Sequence, residues 1–202
     1  LSYTSAKRVL FLVDRNNLGV QAEGEFSSYK LTETGDTFNS IYVTERLRSK
    51  NIPNDANVII STIQRLFSAI TGQDMDDSDD DESIDFDSED SQTEVELGDN
   101  LKLSSDFFDF IIVDECHRSI YGKWKSVLDY FKDAKVLGLT ATPTPEAYAY
   151  FNKNVIEEYT YDDSVVDGVN VPARIYRIKT EATLHGGTIN QGEEVVEKVK
   201  KS

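Results

Sequence analysis

Phe108-Asp109-Phe110-Ile111-Ile112-Val113-Asp114-Glu115-Cys116-His117 runs an unbroken apolar stretch straight into two adjacent carboxylates. Apolar residues in succession, rather than alternating with polar ones, are the pattern of a strand buried on both faces, as in a parallel sheet covered by helices. The same texture recurs on either side, and strands are expected over 8–13, 57–62, 107–114 and 135–140. Between them, amphipathic stretches predict helices over 16–26, 37–50, 63–70, 124–131 and 144–151. Strand and helix in alternation imply an α/β fold, a parallel sheet with helices on both faces.

The chain of 202 residues, with 39% hydrophobic content, 10 Phe and 10 Tyr, is long enough for one sizeable core and a small appendage. It opens at Leu1 and holds a single methionine, Met75, so a fragment or a processed chain is expected. One cysteine, Cys116, excludes an internal disulfide framework, and with two histidines it cannot build a thiolate-rich zinc site. The longest apolar runs, such as Val9 to Val13, are far too short to span a bilayer, and no signal peptide is recognisable. The expectation is a soluble, cytoplasmic protein with no membrane partner.

A formal net charge of -16 argues at first against a nucleic-acid partner, because phosphate binding needs Lys and Arg to displace counterions. The acid is concentrated, however. Residues 73–99 carry 14 of the 37 Asp and Glu and no Lys or Arg, which leaves 23 acids facing 21 bases, a body near -2. Like charges in blocks with little apolar content cannot offset the entropy of ordering, so 73–99 is expected to be a disordered acidic insert. A decoy for a basic partner, or a DNA mimic, is the functional alternative. After Tyr159 the texture changes again. Val169 to Ile178 alternates and His185-Gly186-Gly187 reads as a turn, so a short β-rich segment is expected over 159–202, ending in a charged stretch from Glu193 to Lys201 that suggests a frayed helix. The two domains are then 1–158 and 159–202.

In open α/β sheets ligands bind at the C-terminal edge of the strands, where Asp114 and Glu115 are delivered. A carboxylate there can hold Mg2+ through water, and its neighbour can orient or deprotonate an attacking water. The plainer alternative is that the pair ends a strand and caps a helix. A second element bears on the choice: Val136-Leu137-Gly138-Leu139-Thr140-Ala141-Thr142-Pro143 ends the neighbouring strand in two hydroxyls around a small residue. Small hydroxyls can hydrogen-bond the groups of an adjacent strand end, though Thr142-Pro143-Thr144-Pro145 also suits an ordinary loop and N-cap.

Asp-Glu-Cys-His followed some two dozen residues later by Leu-Thr-Ala-Thr-Pro resembles the motif II and motif III pair of superfamily 2 helicases and translocases. Arg8 to Leu18, continuing through Gln21, resembles motif Ia, and Val58 to Leu66 resembles the motif Ib region. The wording of 113–124, 127–131, 138–143 and 165–180 is closer still to the motor of type I restriction enzyme R subunits, and the likeness covers nearly the whole chain outside the acidic insert.

This resemblance implies a RecA-like first motor lobe, with ATP and Mg2+ as cofactors. Asp114 would help hold the metal, Glu115 would polarise the attacking water, and His117, Thr140, Ala141 and Thr142 would couple hydrolysis to DNA grip. It implies backbone contacts to double-stranded DNA through Arg15, Gln21, Thr62, Gln64 and Arg65, whose donors suit phosphate oxygens; for Arg15 and Arg65 an ordinary solvated charge is the alternative. It further implies modification and specificity subunits as partners, and a parent enzyme that cleaves foreign DNA. The 202 residues hold no Gly-Lys-Thr or Gly-Lys-Ser phosphate loop, nor the arginine-bearing motif VI of a second lobe, so the isolated chain is expected to be inactive. Another superfamily 2 motor, of a type III restriction enzyme or a DNA repair helicase, and a non-catalytic DNA-binding or docking module are the alternatives.

Overall fold

The computed structural model describes residue 1, residues 4–73, residue 97 and residues 101–173. The acidic insert lies outside the described residues but for Gln73 and Leu97, and so does the tail from residue 174 onward. The chain divides into two compact units, Leu1–Val155 and Ile156–Ser202.

The first unit is built on a five-stranded, wholly parallel sheet of order β2-β3-β1-β4-β5. In chain order its elements are β1 (Val9–Val13), α1 (Asn16–Ser28), α2 (Phe38–Ile41), β2 (Thr44–Arg46), β3 (Val58–Thr62), α3 (Ile63–Thr71), β4 (Phe110–Val113), α4 (Cys116–Ser119), α5 (Gly122–Tyr130), β5 (Lys135–Gly138) and α6 (Pro145–Tyr150). The continuous apolar runs are thus strands covered from both sides, as expected. Leu10, Leu12, Ile59, Ile111 and Val113 face the larger core, into which α3 and α5 pack Leu66, Ile70, Val127 and Leu128. Val13, Val58 and Ile60 point the other way, toward α1 and α2, where Leu18, Ala22, Phe26 and Phe38 cover them. The two-residue period of a strand divides the same run between two layers.

Local chemistry sets the element ends. The Thr62 hydroxyl accepts the Arg65 N–H at 3.2 Å and starts α3, and Gly72 ends it in the left-handed region at φ 79°. The apolar side chains of α3 fall at 63, 66 and 70, one helical face. Its Phe67 meets Trp124 of α5 edge-on at 6.1 Å between ring centroids. Thr144 caps α6 through the Ala147 N–H at 3.2 Å with Pro145 at the first helical position, the loop and N-cap role open to that segment. Far from any helix, Asp109 Oδ2 accepts the backbone N–H groups of Lys7 and Arg8 at 2.8 and 2.9 Å, clamping the entry to β1 against the entry to β4.

One helix expectation is corrected. The stretch 37–50 forms only the single turn α2, after which the chain extends into β2 at the sheet edge. Tyr42-Val43-Thr44 suits a pleated edge better than a helix. The Asn57 side chain receives the Val43 N–H at 3.0 Å, and Val43 O accepts from the N–H groups of Asn57 and Val58, so β3 draws this segment into the sheet.

In the second unit the described residues form one helix, α7 (Tyr161–Val166), and no strand. A capping box starts it: Thr160 Oγ1 accepts the Asp163 N–H at 3.1 Å while the Asp163 carboxylate accepts the Thr160 N–H at 3.0 Å. The Thr160 hydroxyl, which donates to Asp163 Oδ2 at 2.5 Å, and then the Thr160 N–H hold the Asp163 carboxyl below its usual range. The β-rich expectation over 159–202 therefore begins with a helix, and the second half of its alternating stretch, 174–178, lies outside the described residues.

Two outcomes follow from this packing. A Cβ on Gly138 would sit 2.6 Å from the Phe151 ring and 2.7 Å from Cys116 Sγ, so Gly138→Ala is expected to lower stability by about 1–3 kcal/mol in thermal unfolding, the range for overpacking. The backbone N–H bond from Arg8 is the foremost cause that lowers the Asp109 pKa. A lowered pKa gives stability that is present above the unfolded value, near 4, and is lost as pH falls through the folded one. Asp109→Asn should therefore be less stable than the parent at pH 7, and urea melts of the two should converge on acidification below about pH 4.

Candidate nucleotide and DNA site

Because all five strands are parallel, β1, β3, β4 and β5 end on one edge of the sheet, and the candidate residues lie at or follow those strand ends, except Gln21, which lies within α1. Asp114 follows the last residue of β4, and its backbone N–H is held by Leu12 O of β1 at 2.9 Å. Its Oδ1 accepts the Glu115 N–H at 3.0 Å, which leaves the second carboxylate oxygen to accept from elsewhere. The side chain stands at the rim of a recess of about 500 Å3, walled by Phe11, Phe26 and Phe38.

Glu115 adopts φ 46° and ψ 47°, the left-handed region, and is the N-cap of α4. A non-glycine residue there costs on the order of 1–2 kcal/mol, and such strain gathers where a side chain must be aimed. The turn lets β4 end and α4 begin without a loop, so Cys116 drops into the core and Glu115 stays partly exposed. Burial pushes the Cys116 thiol pKa up, which makes it an inert core residue rather than a nucleophile.

His117 joins the two strand ends. Its Nδ1 lies 2.9 Å from Thr140 Oγ1 and 3.4 Å from Glu115 Oε2, and its Nε2 lies 3.5 Å from Thr142 Oγ1. Thr140 Oγ1 also accepts the Thr142 N–H at 3.1 Å, which folds the segment after β5 into a compact turn. The backbones are stitched as well, Leu139 N–H to Val113 O at 2.8 Å and Cys116 N–H to Leu139 O at 2.9 Å. His117, Thr140 and Thr142 therefore form one hydrogen-bonded group with the Glu115 carboxylate beside the His117 ring, and Ala141 is exposed at its outer side.

The five residues expected at DNA are placed less uniformly. Arg15, just past β1, has a side chain 47% exposed, and Gln21 is exposed on α1. Thr62 spends its hydroxyl on the cap of α3 and is buried. Gln64 has its Oε1 enclosed without a hydrogen-bond partner among the described residues, and Arg65 is only 6% exposed. The Ib segment thus serves the fold first, and contact between Arg65 and a phosphate requires the side chain to swing out.

Other charged residues at this edge escape notice in the sequence. Arg46 at the end of β2 and Arg48 just past it share the Glu23 carboxylate of α1, at 3.1 and 3.2 Å, and Arg46 also reaches Asn16 Oδ1 at 2.6 Å. Asp14 receives Arg118 of α4. Each pair is more than 20 residues apart in the chain, so no local spacing signals it.

Among the described residues no group of three or more His, Cys, Asp or Glu is arranged to hold a metal ion. Asp114 alone fits a Mg2+ ion that keeps its own waters and is bound mainly by substrate phosphates, the usual manner for this cation. No helix among the described residues is long and apolar enough to cross a membrane.

Residues 1–145 match the family model described as Type III restriction enzyme, res subunit. The chain is 32% identical over 138 residues to the Type I restriction enzyme SauMSSORF170P endonuclease subunit of Staphylococcus aureus strain MSSA476, 68% of this chain and 12% of that protein. It is 30% identical over 209 residues to the Type I restriction enzyme EcoKI endonuclease subunit of Escherichia coli strain K12, 94% of this chain and 15% of that protein. To the EcoAI endonuclease subunit of Escherichia coli it is 35% identical over 99 residues, 46% of this chain and 12% of that protein. The chain spans between 12% and 15% of the length of these relatives. With the matched stretch taking in all five strands and the hydrogen-bonded group at their ends, the chain belongs to the restriction-enzyme family described as Type III restriction enzyme, res subunit, and is a helicase-region segment related to type I endonuclease subunits.

Proposed function

We propose that this chain is part of the ATP-driven motor of a type I restriction enzyme, in which hydrolysis moves double-stranded DNA and leads to cleavage of foreign DNA. The observation that carries this reading is the group Glu115–His117–Thr140–Thr142, which brings the Glu115 carboxylate just past β4 together with the hydroxyls after β5. Phosphoryl transfer needs positioning and charge stabilisation more than covalent chemistry from the protein, and a rigid strand-end group is suited to that.

In this reading Asp114 keeps one carboxylate oxygen for hydrated Mg2+, which when bound supplies positive charge to the phosphoryl oxygens. Glu115 orients the attacking water and takes its proton. His117 passes any shift of Glu115 to Thr140 and Thr142, and so to the loop after β5. Arg15 and Gln21 face the DNA backbone without reading sequence. Modification and specificity subunits are the partners proposed, in keeping with relatives that are themselves named as subunits. The phosphate loop and the second lobe would come from elsewhere in the enzyme.

Two measurements bear on this. In an enzyme carrying the segment, Glu115→Gln should lower DNA-stimulated ATP hydrolysis by about 10²–10⁴-fold, the usual range for a catalytic base, while nucleotide binding followed by fluorescence is retained; unchanged hydrolysis would remove Glu115 from its role. The purified 202-residue chain should hydrolyse no ATP in a single-turnover assay, since it lacks the phosphate loop, and a clear signal would contradict the division of labour proposed.

A further inference from the structure

We infer that Asp14 and Arg118 are a positioning pair through which DNA at the strand ends is felt at Glu115, an inference that rests on the motor reading above. Arg118 lies on α4, three residues after Glu115, and its backbone N–H donates to Glu115 O at 2.9 Å. Its Nη1 donates to Asp14 Oδ2 at 2.5 Å. The Asp14 side chain is 9% exposed and that of Arg118 is 23% exposed, so the pair is shielded from most of the solvent. Asp14 is the residue that follows β1, the strand whose Leu12 O holds the Asp114 N–H. The pair therefore pins the helix that begins at Glu115 onto the end of the neighbouring strand.

The same Asp14 oxygen also receives Arg15 Nε, at 3.4 Å. Arg15 is the exposed member, with nearly half of its side chain in solvent. One carboxylate oxygen thus lies between a guanidinium that faces the DNA side and one that is fastened to the Glu115 turn. A phosphate of the DNA backbone competes with Asp14 for Arg15. Once Arg15 is drawn away, the Asp14 charge is left to Arg118 in a setting where salt screens weakly, and the hold on α4 tightens. Linkage makes the binding effect mutual: by whatever factor DNA changes the affinity for nucleotide through α4, nucleotide changes the affinity for DNA by that factor. Neither Asp14 nor Arg118 touches the reacting atoms in this account. Both act through Glu115 and Arg15.

The test uses the assembled restriction enzyme containing this segment, with its modification and specificity subunits, as wild type, Asp14→Asn, Arg118→Gln, the double variant and Arg118→Lys. Two readouts are taken: ATP hydrolysis with and without duplex DNA, and the ratio of duplex-DNA affinities with and without a non-hydrolysable ATP analogue. Either single neutral variant is expected to lose DNA stimulation by on the order of tenfold and to bring the affinity ratio toward one. The double variant should lose no more than the worse single one, and Arg118→Lys, which keeps the charge, should recover part of both.

Stimulation and affinity ratio unchanged in both single variants would overturn the pair's role. So would losses that multiply in the double variant, or a loss of activity with an unchanged affinity ratio, the mark of a merely structural staple. Should Arg118→Gln not fold, the isosteric Asp14→Asn and the charge-keeping Arg118→Lys give the same two readouts. A wild-type enzyme without DNA-stimulated hydrolysis would instead remove the motor reading and this inference with it, an outcome distinct from a loss confined to the variants.

Discussion

The parallel pairing of β4 between β1 and β5 is the constraint on which the rest of the molecule depends. Parallel strands bury both faces, so Ile111 and Val113 sink into the larger core and the chain has to surface at a single edge to become polar. That edge is where β4 yields Asp114 and Glu115, β5 yields Thr140, and β1 yields Asp14 and Arg15. Had β5 run antiparallel, Thr140 would lie at the far end of the sheet, out of reach of His117.

Glu115, Asn152 and Lys153 are the non-glycine residues at positive φ among the described residues, and of these Glu115 is the one at the strand-end group. Glu115 takes up a left-handed conformation, and the cost is met by the contacts that follow within two residues: Cys116 buried against Gly138, its N–H on Leu139 O, and His117 on Thr140. The absence of a side chain on Gly138 is part of the same fit, because it makes room for both Cys116 and Phe151. The short turn between β4 and α4 is thus supported from β5, which makes the positions of the carboxylate and of the hydroxyls mutually dependent.

The shape of the sheet was legible in the chain because β1 and β4 are uninterrupted apolar runs and β3 and β5 carry shorter ones, a pattern that suits strands covered on both faces. β2 was not. Thr44-Glu45-Arg46 at the sheet edge buries too little to show a pattern, and its strand character is supplied by β3 and by the Asn57 side chain. The helix over 161–166 was likewise hidden, since Thr160 and Asp163 form a capping box whose meaning depends on the turns around it. At the site, Asp114, Glu115 and the Thr140 to Thr142 segment could be read because they directly follow those strong strands. Thr62 and Arg65 could be named as polar groups at a strand end, but whether they face solvent or the cap and interior of α3 is a matter of packing.

By itself, then, the order of apolar and polar residues determined the parallel α/β plan and the edge to which its chemistry is delivered, since burial of continuous apolar strands depends on local composition. Only the tertiary structure decided which side chains meet there. Asp14 with Arg118, Glu23 with Arg46 and Arg48, and His117 with Thr140 are brought together by strand order, because residues more than 20 positions apart become neighbours only when the sheet sets them side by side.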